Sequence, residues 1–101
     1  MTEHSDLQTL QVTSADQEKP AINKTHPRLY GHRLCPFVEK VRLTAAAKHF
    51  KYQFVELDLS KKTKWHLDIN GGLVPILEFP NGTIITESKI IMELINDLNK
   101  D

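Results

Sequence analysis

The one cysteine of this 101-residue chain, Cys35, is followed by Pro36 and preceded by the run Tyr30-Gly31-His32-Arg33-Leu34. Proline suits the first turn of a helix, where its missing amide would be unpaired anyway and its fixed φ matches the helix. Cys35-Pro36 therefore reads as a loop turning into a helix. A thiol at that point lies beside main-chain N–H groups that have no intrahelical acceptor, at the positive end of the helix dipole, and both favour the nucleophilic thiolate. The competing reading is a small buried hydrophobe, which lone cysteines often are. The loop setting favours reactivity. His32 and Arg33 are candidate cationic neighbours, although both also fit ordinary loop surface. Cys35-Pro36-Phe37-Val38 lacks the second thiol of a Cys-x-x-Cys pair, so a mixed disulfide at Cys35 needs an external thiol to resolve it. No metal is expected, because there is no second cysteine and the histidines at 4, 26, 32, 49 and 66 show no ligand spacing.

The elements that must position this thiol follow from local pattern. Leu29 and Tyr30 read as a short strand stopped at Gly31, and a helix is expected over 36–50, with Val38, Val41 and Ala45 on one stripe. Residues 51–59 alternate around Tyr52, Phe54, Val55, Leu57 and Leu59, as a strand does. Ser60 can cap a short helix over 60–69 that ends at Asn70-Gly71-Gly72. Two apolar runs, 74–79 and 83–86, flank Pro80-Asn81-Gly82, and Asn-Gly between such runs signals a hairpin. A last helix is expected over 87–99, with Ile90, Ile91, Leu94, Ile95 and Leu98 at spacings of three and four. The order is βαβ, helix, hairpin, helix. With the right-handed crossover it predicts an α/β thioredoxin-like fold, a four-stranded mixed sheet with three helices, whose first two strands are parallel.

Three motifs, Cys35-Pro36-Phe37, Leu73-Val74-Pro75 and Thr86-Glu87-Ser88, stand in register with the amino-terminal domain of omega-class glutathione transferases. The chain resembles that family over residues 27–98, including the stretches 59–65 and 72–78. The resemblance implies that Cys35 is the catalytic nucleophile, with Pro36 and Phe37 shaping the site. It implies a cis Val74-Pro75 peptide whose Val74 backbone meets the cysteinyl part of glutathione. Glu87 and Ser88 would hold the γ-glutamyl end, roles compatible with their capping the last helix. Lys62 would take the glycine carboxylate, with Lys61 and Lys64 as rival cations or all three as a solvated cluster. Trp65 reads as packing. Where the family has Asn-Pro-x-Gly, this chain has Ile69-Asn70-Gly71-Gly72, which is expected to loosen the loop before Val74.

The function implied is that of a glutathione-dependent thiol transferase, with glutathione as co-substrate and a disulfide or an oxidised small molecule such as dehydroascorbate as acceptor. The alternative is a non-enzymatic interaction or regulatory module, or an inactive fragment, since the family's helical domain would have to follow Asp101. Residues 1–26 carry Glu3, Asp6, Asp16 and Glu18 against Lys19 and Lys24, with isolated apolar residues, and are expected to form a disordered tail ahead of the domain at 27–101. Balanced charge, 13 basic against 13 acidic residues, argues against nucleic acid or an anionic membrane as partner. The absence of any long apolar run argues against a membrane span, and a free thiol suits the reducing cytoplasm. Leu43, Ala46, Ala47 and Phe50 extend the apolar surface of the first helix beyond what one sheet covers, so self-association or a partner polypeptide is expected there.

Overall fold

Pro36 does open a helix in the computed structural model, which describes residues 7–98. In chain order the elements are β1 (Leu10–Val12), β2 (Arg28–Gly31), α1 (Pro36–Ala47), β3 (Gln53–Leu57), α2 (Lys64–Asn70), β4 (Ile76–Glu78), β5 (Ile84–Ile85) and α3 (Ser88–Leu98). The thioredoxin-like arrangement and its three helices are as expected, but the sheet has five strands, in the order β1-β3-β2-β4-β5. The extra strand comes from the segment expected to be a disordered tail. Leu10 to Val12 pair in parallel with Val55 to Leu57 along the outer edge of β3, and the Asp58 amide donates to Val12 O at 3.1 Å. Three strand residues bury little alone. What holds them is that Val12 is 3% exposed against Tyr30, Val55, Leu57 and Ile76. The expectation of disorder for residues 1–6 falls outside the described residues.

The βαβ unit is right in kind, since β2 and β3 are parallel in the register Leu29 to Phe54. The hairpin is also as read: β4 and β5 are antiparallel, the Phe79 amide donates to Thr83 O, and Gly82 takes the positive φ of 93° that the turn demands. Side chains alternate across the sheet and split the core in two. Leu29, Phe54 and Leu77 face α1 and α3, which contribute Val38, Val41, Ala45, Ile91 and Ile95. Tyr30, Val55 and Ile76 face the other way, where Trp65 and Ile69 of α2 cover them with Val12. Full burial of Ile91 and Ile95 stabilises by about 1.5–3 kcal/mol each, which holds α3 on the sheet.

Two helix limits differ from expectation. α1 stops at Ala47 rather than near 50, because His49 turns left-handed at φ 55° and the Phe50 amide returns to Ala45 O at 2.8 Å. α2 begins at Lys64 rather than 60: Thr63 is its cap, with Oγ1 accepting the His66 amide at 3.2 Å. Ser60 is taken by Asp58, whose Oδ1 accepts its amide and its hydroxyl at 3.0 and 2.6 Å. The end of the last helix at 99 lies outside the described residues.

Candidate functional site

Cys35 is the N-cap of α1, with extended backbone angles of −85° and 123°. Its amide donates to His32 O at 3.0 Å and its carbonyl accepts the Glu39 amide at 2.9 Å, so the main chain at the thiol is fixed by a turn on one side and the helix on the other. The side chain caps nothing. It is half-buried and, like Val74, packs on the edge of the core formed by Leu29, Val38, Val41 and Leu77. Gly31 is required here. A Cβ on it would lie 2.7 Å from Val38 Cγ1 and 3.3 Å from Phe54 Cε1, so any side chain would push β2 off α1 just before the thiol.

The cations proposed beside Cys35 are engaged elsewhere. Arg33 turns its guanidinium to Glu56, with Nε 3.0 Å from both carboxylate oxygens and Nη2 2.6 Å from Oε1. The guanidinium hydrogen bond holds the Glu56 carboxyl below its ordinary value. His32 accepts the Leu34 amide on Nδ1 at 3.2 Å.

A cleft of about 220 Å³ gathers Phe37 from α1, Asn70 from the end of α2, Leu73, Val74 and Pro75 ahead of β4, and Thr86, Glu87 and Ser88 at the start of α3. The Val74-Pro75 peptide is cis. Leu73 and Val74 precede the β2–β4 ladder, which runs only from Ile76 to Glu78, so their backbone lies outside it. Glu87 is exposed and its carbonyl accepts the Ile91 amide at 2.9 Å. Its carboxylate and the Ser88 hydroxyl have no hydrogen-bond partner among the described residues. Thus Phe37, Val74, Pro75, Glu87 and Ser88 come together, and Pro36 starts the helix that carries Phe37. Cys35 does not line this cleft, although Phe37, two residues on, does.

Lys62 does not line the cleft either; it lies along the loop leading to it. A Cβ on Gly72, which has φ 80°, would sit 2.8 Å from Lys62 Cδ and 3.1 Å from Nζ, so the ammonium rests beside the residue before Leu73. Of the rival cations, Lys64 is paired with Asp68 at 3.0 Å. Trp65 is packing, edge-on to Tyr30 at 5.8 Å, with Nε1 donating to Gln17 O at 2.9 Å.

The expected loosening of the loop at 69–72 is not what the structure shows. Gly71 closes α2 in the left-handed region and its amide returns to Leu67 O at 2.8 Å. Leu73 O then receives two side chains, His66 Nε2 at 2.8 Å and Asn70 Nδ2 at 3.0 Å. In the sequence Asn70 reads only as part of the turn, and His66 only as one of five histidines without ligand spacing. The signal available was a histidine inside an apolar helix face, between Trp65 and Ile69, which must find a partner if buried.

These features match known proteins. The family of the glutathione S-transferase N-terminal domain matches over residues 29–100, and the chain belongs to it. Within that family it is of the omega type. It is 35% identical over 71 residues to glutathione S-transferase omega-1 of Rattus norvegicus, an alignment covering 69% of this chain and 30% of the relative. Among solved structures, glutathione transferase Omega 3C from Trametes versicolor is 35% identical with a TM-score of 0.65, over 73% of this chain and 34% of that one. A glutathione transferase homolog from Drosophila mojavensis with bound glutathione is 31% identical with a TM-score of 0.69, over 75% and 36%. The chain thus spans about 30% of the length of the curated relative.

Proposed function

We propose that this domain binds glutathione and carries out thiol transfer through Cys35. The observation that supports the reading most is the convergence of Val74-Pro75 with Glu87 and Ser88 in one cleft, against Phe37 of the helix that Cys35 begins. Glutathione's cysteinyl backbone pairs with Val74 as an added strand would, its γ-glutamyl ammonium meets the Glu87 carboxylate, and its γ-glutamyl carboxylate meets Ser88 at the start of α3. Lys62 swings from Gly72 to the glycine carboxylate. In the reaction, Cys35 thiolate attacks the glutathione sulfur of a mixed disulfide, forming a Cys35–glutathione disulfide and expelling the acceptor thiolate. A second glutathione thiolate then attacks that disulfide, releasing Cys35 thiolate and oxidised glutathione. Positioning and thiolate stabilisation supply the rate advantage.

Intact mass after exposure to oxidised glutathione tests the chemistry: one glutathionyl adduct is expected on the native chain and none on Cys35→Ser. An unmodified native chain refutes it. The reading places the chain in the reducing cytoplasm, where a free thiol persists. It also includes a polypeptide, another copy or a partner, over α1 and α3, because Leu43, Ile90 and Leu98 are 61%, 51% and 55% exposed there. Sedimentation over a range of concentrations reads this part, and a concentration-independent monomer in the absence of a partner would exclude the copy.

A further inference from the structure

We infer that His66 is a positioning residue for the peptide group that receives the ligand backbone, acting through the Leu73 carbonyl. The inference rests on the reading of the cleft as a glutathione site. His66 sits in α2 and is 1% exposed. Its Nε2 lies 2.8 Å from Leu73 O. A carbonyl can only accept, so Nε2 carries the proton. Asn70 Nδ2 approaches the same oxygen at 3.0 Å, and the two donors occupy both of its lone pairs.

The peptide group joining Leu73 to Val74 is planar. In a trans peptide the carbonyl of one residue and the N–H of the next point in opposite directions. Holding Leu73 O toward α2 from two directions therefore aims the Val74 N–H away from α2, and both residues line the cleft. Hydrogen bonds accepted by a carbonyl also polarise the N–H across the same amide and strengthen it as a donor. His66 thus sets both the direction and the strength of the donor offered to an extended peptide such as glutathione, without touching it. The anchor itself is firm. The His66 amide is held by Thr63 Oγ1, and its carbonyl accepts the Gly72 amide at 3.4 Å, tying helix, turn and peptide group into one unit.

The test uses the full chain and glutathione titrated by calorimetry. His66→Phe keeps a ring and removes the donor; His66→Gln returns an N–H near the position of Nε2; Asn70→Ala removes the second, half-buried donor. Expected are affinities about fivefold weaker for His66→Phe, about threefold weaker for Asn70→Ala, and within about twofold of native for His66→Gln. The Val74 amide resonance should broaden in the first two variants and stay sharp in the third, a pattern that loss of packing would not produce. Native affinity and a sharp Val74 signal in His66→Phe and Asn70→Ala overturn the inference while leaving the glutathione reading intact. Should His66→Phe not fold, His66→Leu takes its place on the same criterion, because Asn70 itself lines the cleft and its variant only supports the result. A native chain that does not bind glutathione overturns both.

Discussion

Polar side chains under the sheet and polar side chains in the cleft are treated in opposite ways. Around β2, Arg28 and Glu78 are each 4% exposed, and among the described residues no fully buried side-chain nitrogen or oxygen lacks a hydrogen-bond partner. Glu78 Oε1 accepts the Tyr30 hydroxyl at 2.7 Å and Oε2 the Lys19 ammonium at 2.5 Å, while Arg28 lies 3.7 Å away and donates to Gln53 Oε1 and Ala21 O. Gln53 reaches on to Gln8 O at 2.8 Å. Burial pushes the Tyr30 phenol well above its ordinary value, and its hydrogen bond to Glu78 adds to the rise. In the cleft, by contrast, the Glu87 carboxylate and the Ser88 hydroxyl bond to no side chain or backbone group among the described residues, and neither does the Cys35 thiol at the start of α1 beside it. The first set spends its polarity on folding, tying the segment before β2 to the sheet. The second leaves its polarity to a ligand.

The largest effect expected from this contrast is at Glu78. Glu78→Ala strands two cations, one of them buried, and removes the acceptor of a buried phenol, so urea unfolding should show a loss of about 3–5 kcal/mol. Glutathione affinity per folded molecule should not change. A loss below about 1 kcal/mol would mean the network is decoration and the contrast false. Next is Val12→Ala, where two lost methyl groups and the cavity they leave should lower stability by about 2 kcal/mol. A disordered tail would give no effect, so this variant decides whether β1 belongs to the fold in solution.

Glu87→Ala should do the reverse. Exposed and without a side-chain partner, it should leave stability within about 0.5 kcal/mol of native. It should weaken glutathione about tenfold, by roughly 1.4 kcal/mol, since a carboxylate gripping an ammonium is lost. Lys62→Ala should weaken it less, because the lysine has to move from Gly72 to engage. Calorimetry on both variants checks the ranking, and equal or inverted losses would assign the γ-glutamyl end wrongly.

What could be read from the sequence is what local pattern controls. The Asn81-Gly82 turn, the Cys35-Pro36 helix start and the burial of Ile91 and Ile95 each need only a few neighbouring residues, and each stands in the structure. β1 does not. Leu10-Gln11-Val12 is a strand only because Val55 to Leu57, more than 40 residues on, offer an open parallel edge. The Glu78 network is equally remote from local pattern, joining residues 59 apart in Lys19 and Glu78. Within the site, Phe37, Val74, Pro75, Glu87 and Ser88 were legible because motif order survives folding, whereas the clamp on Leu73 O was not. A turn rich in glycine reads as loose, and only the side chains that close on it show otherwise.

The smallest expected effect concerns an ion pair that belongs to neither region. Arg33 is exposed while the Glu56 side chain is 12% exposed, so solvent screens the pair heavily despite its two-pronged geometry. The hydrogen bond from Arg33 lowers the Glu56 carboxyl below its ordinary value of 4.5, which means the folded state favours the ionised form. Linkage then fixes the sign. The stabilisation is fully present above 4.5, and it is lost as pH falls below that value through the lowered folded one. Arg33→Gln should therefore melt slightly below the native chain at pH 7, by less than Glu78→Ala or Val12→Ala, and the two melts should converge as the pH is taken down past the ordinary glutamate range. Because Arg33 faces Glu56 and not the thiol, alkylation of Cys35 should proceed at the native rate in this variant. A slower rate would mean that Arg33 leaves Glu56 to serve Cys35, and the cleft would then have a charged neighbour that the folded chain keeps turned away.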